Sequence, residues 1–296
     1  MEIGNPLVIK NFTKKYGNYN AVENLSLSLH FGEVFGFLGP NGSGKSTTIR
    51  TIMNFIQPTL GSITVHGFDS VKDDVQIKNN IGYIAGEIAL YNSLTGYQVI
   101  NYLANLGRTV DNRFVSQLSG KLQAELDQHI GKLSKGNRQK LGLILACMHK
   151  PKLLILDEPT SGLDPLIKQA FYDLVLEMKQ NGTTIFLSSH DFAEVEKICD
   201  RVGFIREGRL ITIQDIQDIL DVNIRKYRIV FRNAPNIADF ESVQGISDLK
   251  LNDRILTLTI SGNIENFIHH LGKYSVIDLH EQETTLEDIF LQFYEK

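Results

Sequence analysis

A short glycine-rich segment, GPNGSGKST, has the residue types and spacing needed to bind phosphate. It matches the pattern G-x-x-x-x-G-K-[ST], in which the lysine reaches the terminal phosphates of a nucleotide and the hydroxyl holds Mg²⁺. The glycines let the backbone curl so that successive N–H groups point at one anion. The residues assigned to this phosphate-binding loop are Gly39, Pro40, Asn41, Gly42, Ser43, Gly44, Lys45, Ser46 and Thr47.

The elements on either side of this loop fit the same chemistry. The apolar run 33–38 predicts a buried strand, and the stretch from Lys45 to Phe55 predicts a helix. The start of a helix adds roughly half a positive charge where the phosphates would lie. A glycine-rich turn that fits the pattern by chance is the alternative, and the strand–loop–helix context argues against it.

A pair of carboxylates, Asp157 and Glu158, follows a second apolar run at 153–156. This run is too short for a helix and predicts a buried parallel strand. A strand that ends beside the phosphates would let Asp157 hold Mg²⁺ together with Ser46. Glu158 would then orient or deprotonate the attacking water. Two solvated acids at a strand end are the alternative.

The order of these segments resembles the ATP-binding subunits of ABC transporters. The matching segments within residues 7–211 are GPNGSGKST, LSKGNRQ, LLILDEP, SGLD and a later SSH. The resemblance implies an α/β fold: a P-loop ABC ATPase with an antiparallel β edge subdomain and a helical subdomain that carries the signature segment. It also implies that two such domains pair head-to-tail and hydrolyse ATP with Mg²⁺.

The segment LSKGNRQ, at 133–139, resembles the family signature LSGGQ. The resemblance implies that Ser134 and Gly136 approach the γ-phosphate of ATP held by the partner domain, with Lys135 and Asn137 beside them. Lys135 replaces a glycine of the family pattern and Asn137 replaces a glutamine. The lysine either adds positive charge at the phosphate or is solvated. A helix simply capped by Ser134 is the alternative.

Two further roles are implied by the resemblance. Asp164, in SGLD, corresponds to a residue that crosses the dimer interface, and it also has the type expected to cap a helix that begins at Pro165. His190, after the apolar run 184–189, corresponds to a switch histidine that bonds the γ-phosphate and holds Glu158. The catalytic residues implied are therefore Lys45, Glu158 and His190.

The family pattern also implies a role for an aromatic residue, and it contains a glutamine that this sequence lacks. Tyr16 lies where the family has a ring that stacks on adenine, and Phe12 and Tyr19 compete for this role. Gly86, in IGYIAGE, stands where the family has a glutamine that touches Mg²⁺ and the attacking water. Glu87 is a candidate substitute, although a carboxylate near triphosphate is unfavourable unless the metal offsets it.

Composition restricts the partners and the compartment. The 296 residues carry a net charge of −4, which argues against a nucleic-acid partner because such proteins normally present a basic surface. No apolar run reaches the ~18–20 residues that a bilayer requires, and the N-terminus lacks signal-peptide features. A cytoplasmic protein is expected, held peripherally at the cell membrane by a separate polytopic permease.

Cys147 and Cys199 lie in helical patterns and are expected to be buried free thiols rather than a disulfide.

Two domains are predicted: an ABC ATPase domain over residues 1–221, with a helical subdomain at about 88–148, and a small α+β domain over 222–296. The second prediction rests on strand-like alternation at 227–231 and 256–260, followed by helical spacing. The helically spaced residues are Ile264, Phe267, Ile268 and Leu271, and then Leu286, Ile289, Phe290 and Phe293.

The expected function is that of an ATPase subunit of an exporter, working through ATP-dependent dimerisation of two copies. A soluble ABC ATPase that acts on ribosomes or DNA is one alternative, and the single ATPase domain with a short segment between Lys45 and Leu133 argues against it. A binding module with decayed catalytic parts is another, and the intact Lys45, Asp157, Glu158 and His190 argue against that. An importer fits the resemblance less well than an exporter.

Overall fold

The computed structural model describes residues 5–106, 110–220, 224–282 and 285–287. The chain forms two compact units, residues 1–214 and 215–296. The sequence had placed this boundary after residue 221.

The chain up to residue 215 contains two sheets with helices around them. The strands are β1 (Leu7–Tyr16), β2 (Tyr19–Ser28), β3 (Val34–Leu38), β4 (Leu60–Val65), β5 (Phe68–Asp69), β6 (Ile81–Ile84), β7 (Leu153–Asp157), β8 (Thr184–Ser189), β9 (Arg201–Arg206) and β10 (Arg209–Asp215). The helices are α1 (Lys45–Ile52), α2 (Asp74–Asn80), α3 (Gly96–Asn105), α4 (Asn112–Leu122), α5 (Lys135–Cys147), α6 (Pro165–Gln180) and α7 (Phe192–Ile198).

A mostly parallel sheet forms the centre of this unit. Its strand order is β10-β9-β3-β8-β7-β6, and the strands from β9 to β6 run parallel. β3, β7 and β8 are buried along their whole length, as apolar strands are when both faces of a parallel sheet are covered. Phe35 and Phe186 stack between β3 and β8 with ring centroids 5.9 Å apart. The buried strands predicted from the apolar runs are confirmed.

An antiparallel sheet with the order β2-β1-β4-β5 packs on the same core. β1 pairs with both β2 and β4. Its inward residues Leu7, Ile9 and Phe12 are almost completely buried, in the core that also holds Phe37 and Ile49. The antiparallel edge subdomain expected from the family resemblance is thus present.

The segment after β6 is helical, as predicted, and its helices have clear start signals. Thr95 begins α3 with a capping box, because its hydroxyl accepts from the Gln98 N–H and the Gln98 side chain accepts from the Thr95 N–H. The Asp111 carboxylate caps α4 and the Ser134 hydroxyl caps α5. A single 3₁₀ turn, Ile130–Lys132, leads into α5.

Helix α1 is shorter than the sequence predicted, ending at Ile52 instead of continuing to Phe55. Asn54 adopts the left-handed conformation with φ of 53°. The Phe55 N–H then donates to Arg50 O at 2.8 Å and the Asn54 N–H to Thr51 O at 3.0 Å. This is a Schellman motif, which satisfies the last carbonyls and stops the helix.

The second unit has helices α8 (Ile216–Leu220), α9 (Ala238–Glu241) and α10 (Glu265–Leu271), and strands β11 (Ile224–Phe231), β12 (Ile246–Asn252), β13 (Ile255–Ser261) and β14 (Val276–Gln282). The strands form an antiparallel sheet in the order β12-β13-β11-β14. Read along the chain as β11-α9-β12-β13-α10-β14, this is the ferredoxin-like split-βαβ pattern.

The core of the second unit follows the alternation seen in the sequence. Its hydrophobic core cluster contains Tyr227, Ile229, Phe231, Phe240, Leu256, Leu258, Ile260, Phe267 and Leu271. Of the last helically spaced set, Leu286 is buried, and Ile289, Phe290 and Phe293 lie outside the described residues.

Candidate active site

The candidate site lies at the carboxyl edge of the parallel sheet. The phosphate-binding loop follows β3, Asp157 ends β7 with Glu158 directly after it, and His190 follows β8. Since β3, β8 and β7 are parallel neighbours, their carboxyl ends meet at one edge. Ligands of open α/β sheets bind in this position.

The loop conformation requires glycine at two positions. A Cβ on Gly39 would lie 2.2 Å from the carbonyl oxygen of Ile205. Gly44 has a φ of 108°, and a Cβ there would lie 2.7 Å from the carbonyl oxygen of Ala21. Helix α1 begins directly after Gly44 with no side-chain cap. Its first N–H groups are therefore available to an anion.

Lys45 points back across the loop and meets the carboxylate of Glu158. Its ammonium donates to Gly39 O at 2.7 Å and to Pro40 O at 3.2 Å, and lies 3.4 Å from Glu158 Oε1. The lysine side chain is only 4% exposed. A buried cation held by carbonyl oxygens at this point is suited to receive a phosphate oxygen.

Glu158 is held by its backbone as well as by its side chain. Its N–H donates to Ser188 O at 3.1 Å and to Ser188 Oγ at 3.2 Å. It adopts the left-handed conformation with φ of 47°, which is uncommon outside glycine and asparagine and is often found at functional sites. Oε2 of the same carboxylate lies 3.2 Å from Nδ1 of His190, whose side chain is 55% exposed.

Asp157 is a buried carboxylate surrounded by hydroxyl groups. Its Oδ1 accepts from Ser46 Oγ at 3.1 Å and from Ser188 Oγ at 2.6 Å. Within the described part of the chain, Asp157 forms no ion pair. A buried anion with only hydroxyl partners fits a cation. Mg²⁺ bound with substrate phosphates needs only one or two protein oxygens, so Ser46 and Asp157 form a suitable donor set.

The charge of Asp157 also affects a neighbouring phenol. Burial, with a smaller contribution from Asp157, raises the pKa of Tyr83 to about 12. Tyr83 therefore stays protonated and neutral beside the carboxylates at neutral pH.

Gly86, which follows β6, lies next to Asp157. A Cβ on Gly86 would contact the Asp157 carbonyl oxygen at 3.6 Å and its Oδ2 at 3.7 Å, which are ordinary van der Waals distances. The position thus faces the predicted metal ligand and has room for a side chain. Glu87, the candidate substitute, is exposed.

The signature segment contacts the segment after Glu158. The Ser134 hydroxyl accepts from the Asn137 N–H at 3.2 Å. The Lys135 ammonium donates to Ser161 Oγ at 3.3 Å, and a Cβ on Gly136 would lie 2.9 Å from Gly162 O. In the described structure, none of these residues contacts the phosphate-binding loop of its own chain. Lys135 is therefore bonded to a hydroxyl rather than only solvated.

Asp164 caps helix α6, which Pro165 begins, by accepting from the Ile167 N–H at 3.0 Å. The helix-start interpretation of the SGLD segment is therefore confirmed. Asp164 is also exposed, so it remains open to contact with another chain.

The three aromatic residues that are candidates to stack on adenine differ in the exposure of their side chains. Phe12 is completely buried, which excludes it, whereas Tyr16 and Tyr19 are 48% and 61% exposed. Tyr19 lines a concave surface together with residues 40–43 of the loop and Arg206. Tyr16 lies opposite Tyr19 in the β1–β2 pairing, under the Lys14 ammonium.

Sequence reasoning missed several polar residues that organise the site. Ser188 links Asp157 and Glu158, and Gln139, which is buried, donates to Pro159 O at 2.8 Å. Ser189 and Glu194 are also buried and bonded to each other. The available signal was the presence of two serines at the end of the otherwise apolar strand β8.

The fold and this geometry define a P-loop ATPase. A family model described as ABC transporter matches residues 22–161. The linearmycin resistance ATP-binding protein LnrL of Bacillus subtilis is 31% identical, covering 96% of this chain and 97% of that protein. The bacitracin transport ATP-binding protein BcrA of Bacillus licheniformis is 40% identical over 68% of this chain and 67% of that protein.

A solved structure, described as the ATP binding subunit of an ABC transporter, is 30% identical with a TM-score of 0.66, covering 72% of this chain and 91% of that one. This chain belongs to the ATP-binding subunits of ABC transporters. It binds ATP and is an ATPase. Among the residues that the structure describes, none of the helices combines the length and apolar character needed to cross a membrane.

Proposed function

We propose that this chain works as a dimer of identical subunits that powers export through a separate polytopic permease, with ATP and Mg²⁺ bound between the two subunits. The observation that carries the proposal is that only some of the proposed ATP-binding residues come together within one chain. Lys45, Glu158 and His190 meet within one chain, whereas Ser134 of the signature segment is exposed and makes no hydrogen bond to them in the described structure. A second copy supplies the missing contact.

Each residue of the site then has a defined task. The loop N–H groups and Lys45 bind the β- and γ-phosphates, and Ser134 and Gly136 of the other subunit close over the γ-phosphate. Ser46 and Asp157 would hold Mg²⁺, which when bound would offset the negative charge of the phosphates. Tyr16 stacks on adenine.

Hydrolysis requires a base and a group that aligns it. Glu158 accepts a proton from the attacking water as the oxygen of that water bonds to the γ-phosphorus and the bond to the bridging oxygen breaks. His190 holds the Glu158 carboxylate and the γ-phosphate in line. The products are ADP and phosphate.

Exposed apolar side chains support docking to a permease. Tyr91, Tyr97, Tyr102 and Leu106 are 46–64% exposed and follow Gly86 in the helical subdomain. The rings of Tyr91 and Tyr102 also contact each other edge to face, with centroids 6.2 Å apart. Clustered apolar surface on a soluble domain commonly marks an interaction site. The chain would thereby be held peripherally at the cytoplasmic face of the cell membrane.

The direction of transport is proposed from the relatives. Their names mention linearmycin resistance, bacitracin transport and, for a protein of Escherichia coli that is 35% identical over 68% of this chain, multidrug transport. These names favour export over import.

The test is capture of tagged Glu158→Gln protein from detergent-solubilised membranes with ATP and Mg²⁺, followed by identification of co-purifying proteins by mass. A stoichiometric polytopic membrane protein is expected. The control carries Lys45→Ala in addition, and should lose ATP-dependent capture. Recovery in the soluble fraction alone, or with ribosomes, would overturn the transport proposal in favour of a soluble ABC ATPase.

Dimerisation is tested separately by light scattering of purified Glu158→Gln protein. ATP with Mg²⁺ should double the mass, and ADP should not. Replacing Ser134 with arginine should prevent doubling while leaving ATP binding by each monomer intact. A monomer under all conditions would contradict the dimer.

A further inference from the structure

A buried carboxyl group, Glu194 in α7, lies outside the reacting groups but next to the segments that carry them. Glu194 is only 1% exposed. The Ser189 hydroxyl donates to Glu194 Oε2 at 2.5 Å, and Oε1 has no hydrogen-bond partner in the described structure. A buried carboxyl with an unsatisfied oxygen is unfavourable, so its presence calls for a functional reason.

On one side, Glu194 controls the backbone around His190. The Ser189 hydroxyl that donates to Glu194 also accepts from the Asp191 N–H at 3.0 Å. Ser189 and Asp191 flank His190 in the sequence, and Ser189 is 2% exposed. The His190 side chain is 55% exposed. The ring contacts Glu158, and its position relative to that carboxylate depends also on this flanking backbone.

On the other side, Glu194 faces the segment that follows Glu158. Thr160 is 6% exposed; burial raises the pKa of Glu194, and the Thr160 side chain lowers it by a smaller amount. Pro159, between Glu158 and Thr160, is held through its carbonyl by Gln139. The segment is therefore fixed by α5 on one side and faces Glu194 of α7 on the other.

The charged surroundings show that Glu194 is not part of a simple ion pair. Burial raises the pKa of Glu194 most strongly, the charge of Asp191 raises it further, and Lys168 lowers it. Lys168 is itself 3.6 Å from Asp191. The hydrogen bond to Ser189 is thus the main direct contact of this carboxyl.

We propose that Glu194 is a positioning residue for ATP hydrolysis, which fixes His190 relative to Glu158 through Ser189. The proposal rests on the roles of His190 and Glu158 in the proposed function. A small displacement of a group that aligns a reaction lowers the rate by up to about 10²-fold. Binding of ATP, which depends on the phosphate loop, is not affected.

The first test compares steady-state hydrolysis by Glu194→Ala, Ser189→Ala and Glu194→Gln proteins. Both alanine variants should lose kcat by ~10–10²-fold with KM for ATP unchanged. Glu194→Gln keeps an oxygen that accepts from Ser189, so it should retain most of the wild-type kcat. Glu177→Ala, at the surface of α6 beside Lys121, is the control and should behave as wild type. If Glu194→Ala does not fold, Ser189→Ala and Glu194→Gln still decide the question.

The second test is a double-mutant cycle with His190→Ala, measured by single-turnover hydrolysis. Because Glu194 acts through His190, adding Glu194→Ala should cause little further loss in that background. Losses that multiply, or a lower Tm with unchanged kcat for the folded protein, would overturn the proposal and leave a structural role. A reduced rate for His190→Ala with a normal rate for Glu194→Ala refutes the Glu194 role alone. A normal rate for His190→Ala refutes the proposed histidine function and the Glu194 role with it.

Discussion

Nδ1 of His190 lies 3.2 Å from Oε2 of Glu158, although the two residues follow different strands of the parallel sheet. The other oxygen of the same carboxylate lies 3.4 Å from the Lys45 ammonium. Glu158 is thus held on both oxygens by groups from two other segments. The proposed base is therefore oriented before substrate arrives, which lowers the cost of reaching the reactive geometry.

Replacing Glu158 with glutamine should preserve ATP binding and nearly abolish hydrolysis. The amide has the same shape and cannot accept the proton of the attacking water. Loss of a general base costs ~10²–10⁴-fold in rate. Phosphate release and fluorescent-nucleotide binding measure the two quantities. Glu177→Gln, at the surface beside Lys121, is the control, and a normal rate in Glu158→Gln would remove the glutamate from its assigned role.

Replacing Gly86 with glutamine should lower the Mg²⁺ concentration needed for half-maximal hydrolysis. The three heavy atoms nearest to a Cβ at this position all belong to Asp157, at 3.6–3.8 Å, so a side chain can extend beside the proposed metal ligand. The amide oxygen would add a ligand or orient a bound water. Gly86→Leu has similar bulk without polar atoms and should show no gain. Equal Mg²⁺ dependence in both variants would contradict the interpretation.

Replacing Gly39 with alanine should destabilise the protein and remove ATP binding. The new methyl group would lie 2.2 Å from Ile205 O, so the loop or β9 must move. Such overpacking typically costs ~1–3 kcal/mol. The control is Gly120→Ala in α4, where a Cβ meets nothing within 4 Å and alanine favours the helix. Thermal unfolding and nucleotide titration of both variants provide the measurement; intact binding in Gly39→Ala would refute the steric argument.

The stability of the protein should depend on pH through Glu194. Burial raises the pKa of this carboxyl above 4.5, so the folded state binds its proton more tightly than the unfolded state. Glu194 therefore contributes fully to the free energy of unfolding below pH 4.5. This contribution is lost as the pH rises through the raised pKa of Glu194 in the folded state. Glu194→Gln does not titrate. The Tm of wild type relative to Glu194→Gln should therefore fall as the pH increases, and a rise would show that the sign is wrong.

The two cysteines should be unreactive in the folded protein. Both are buried and free, as expected from the sequence. Burial raises the pKa of Cys147 to about 12, and burial together with the charge of Glu194 raises the pKa of Cys199. The thiolate is the reactive form, so iodoacetamide should label neither residue at mildly alkaline pH. Intact mass should show two adducts only in denaturant; labelling of folded protein would contradict the burial.

Local sequence was sufficient to predict the buried strands. Apolar runs bounded by proline, glycine or acidic residues leave few alternatives, and β3, β7 and β8 formed where such runs occur. The end of α1 was misjudged because apolar periodicity continues to Phe55, while the left-handed turn at Asn54 depends on backbone hydrogen bonds. Periodicity does not report such bonds.

The candidate site likewise has features that the sequence determines and features that only the tertiary structure decides. The sequence by itself determined the chemistry, because the residue types and order of the loop, the carboxylate pair and the later histidine restrict it to nucleotide hydrolysis. Only the tertiary structure decided that Lys45 and His190 meet the same carboxylate, and that Ser188 and Glu194 hold the surrounding segments. Apart from the bond between Ser189 and Glu194, these contacts join residues far apart in the chain. They depend on strand order, β3-β8-β7, which long-range packing sets and local periodicity does not encode.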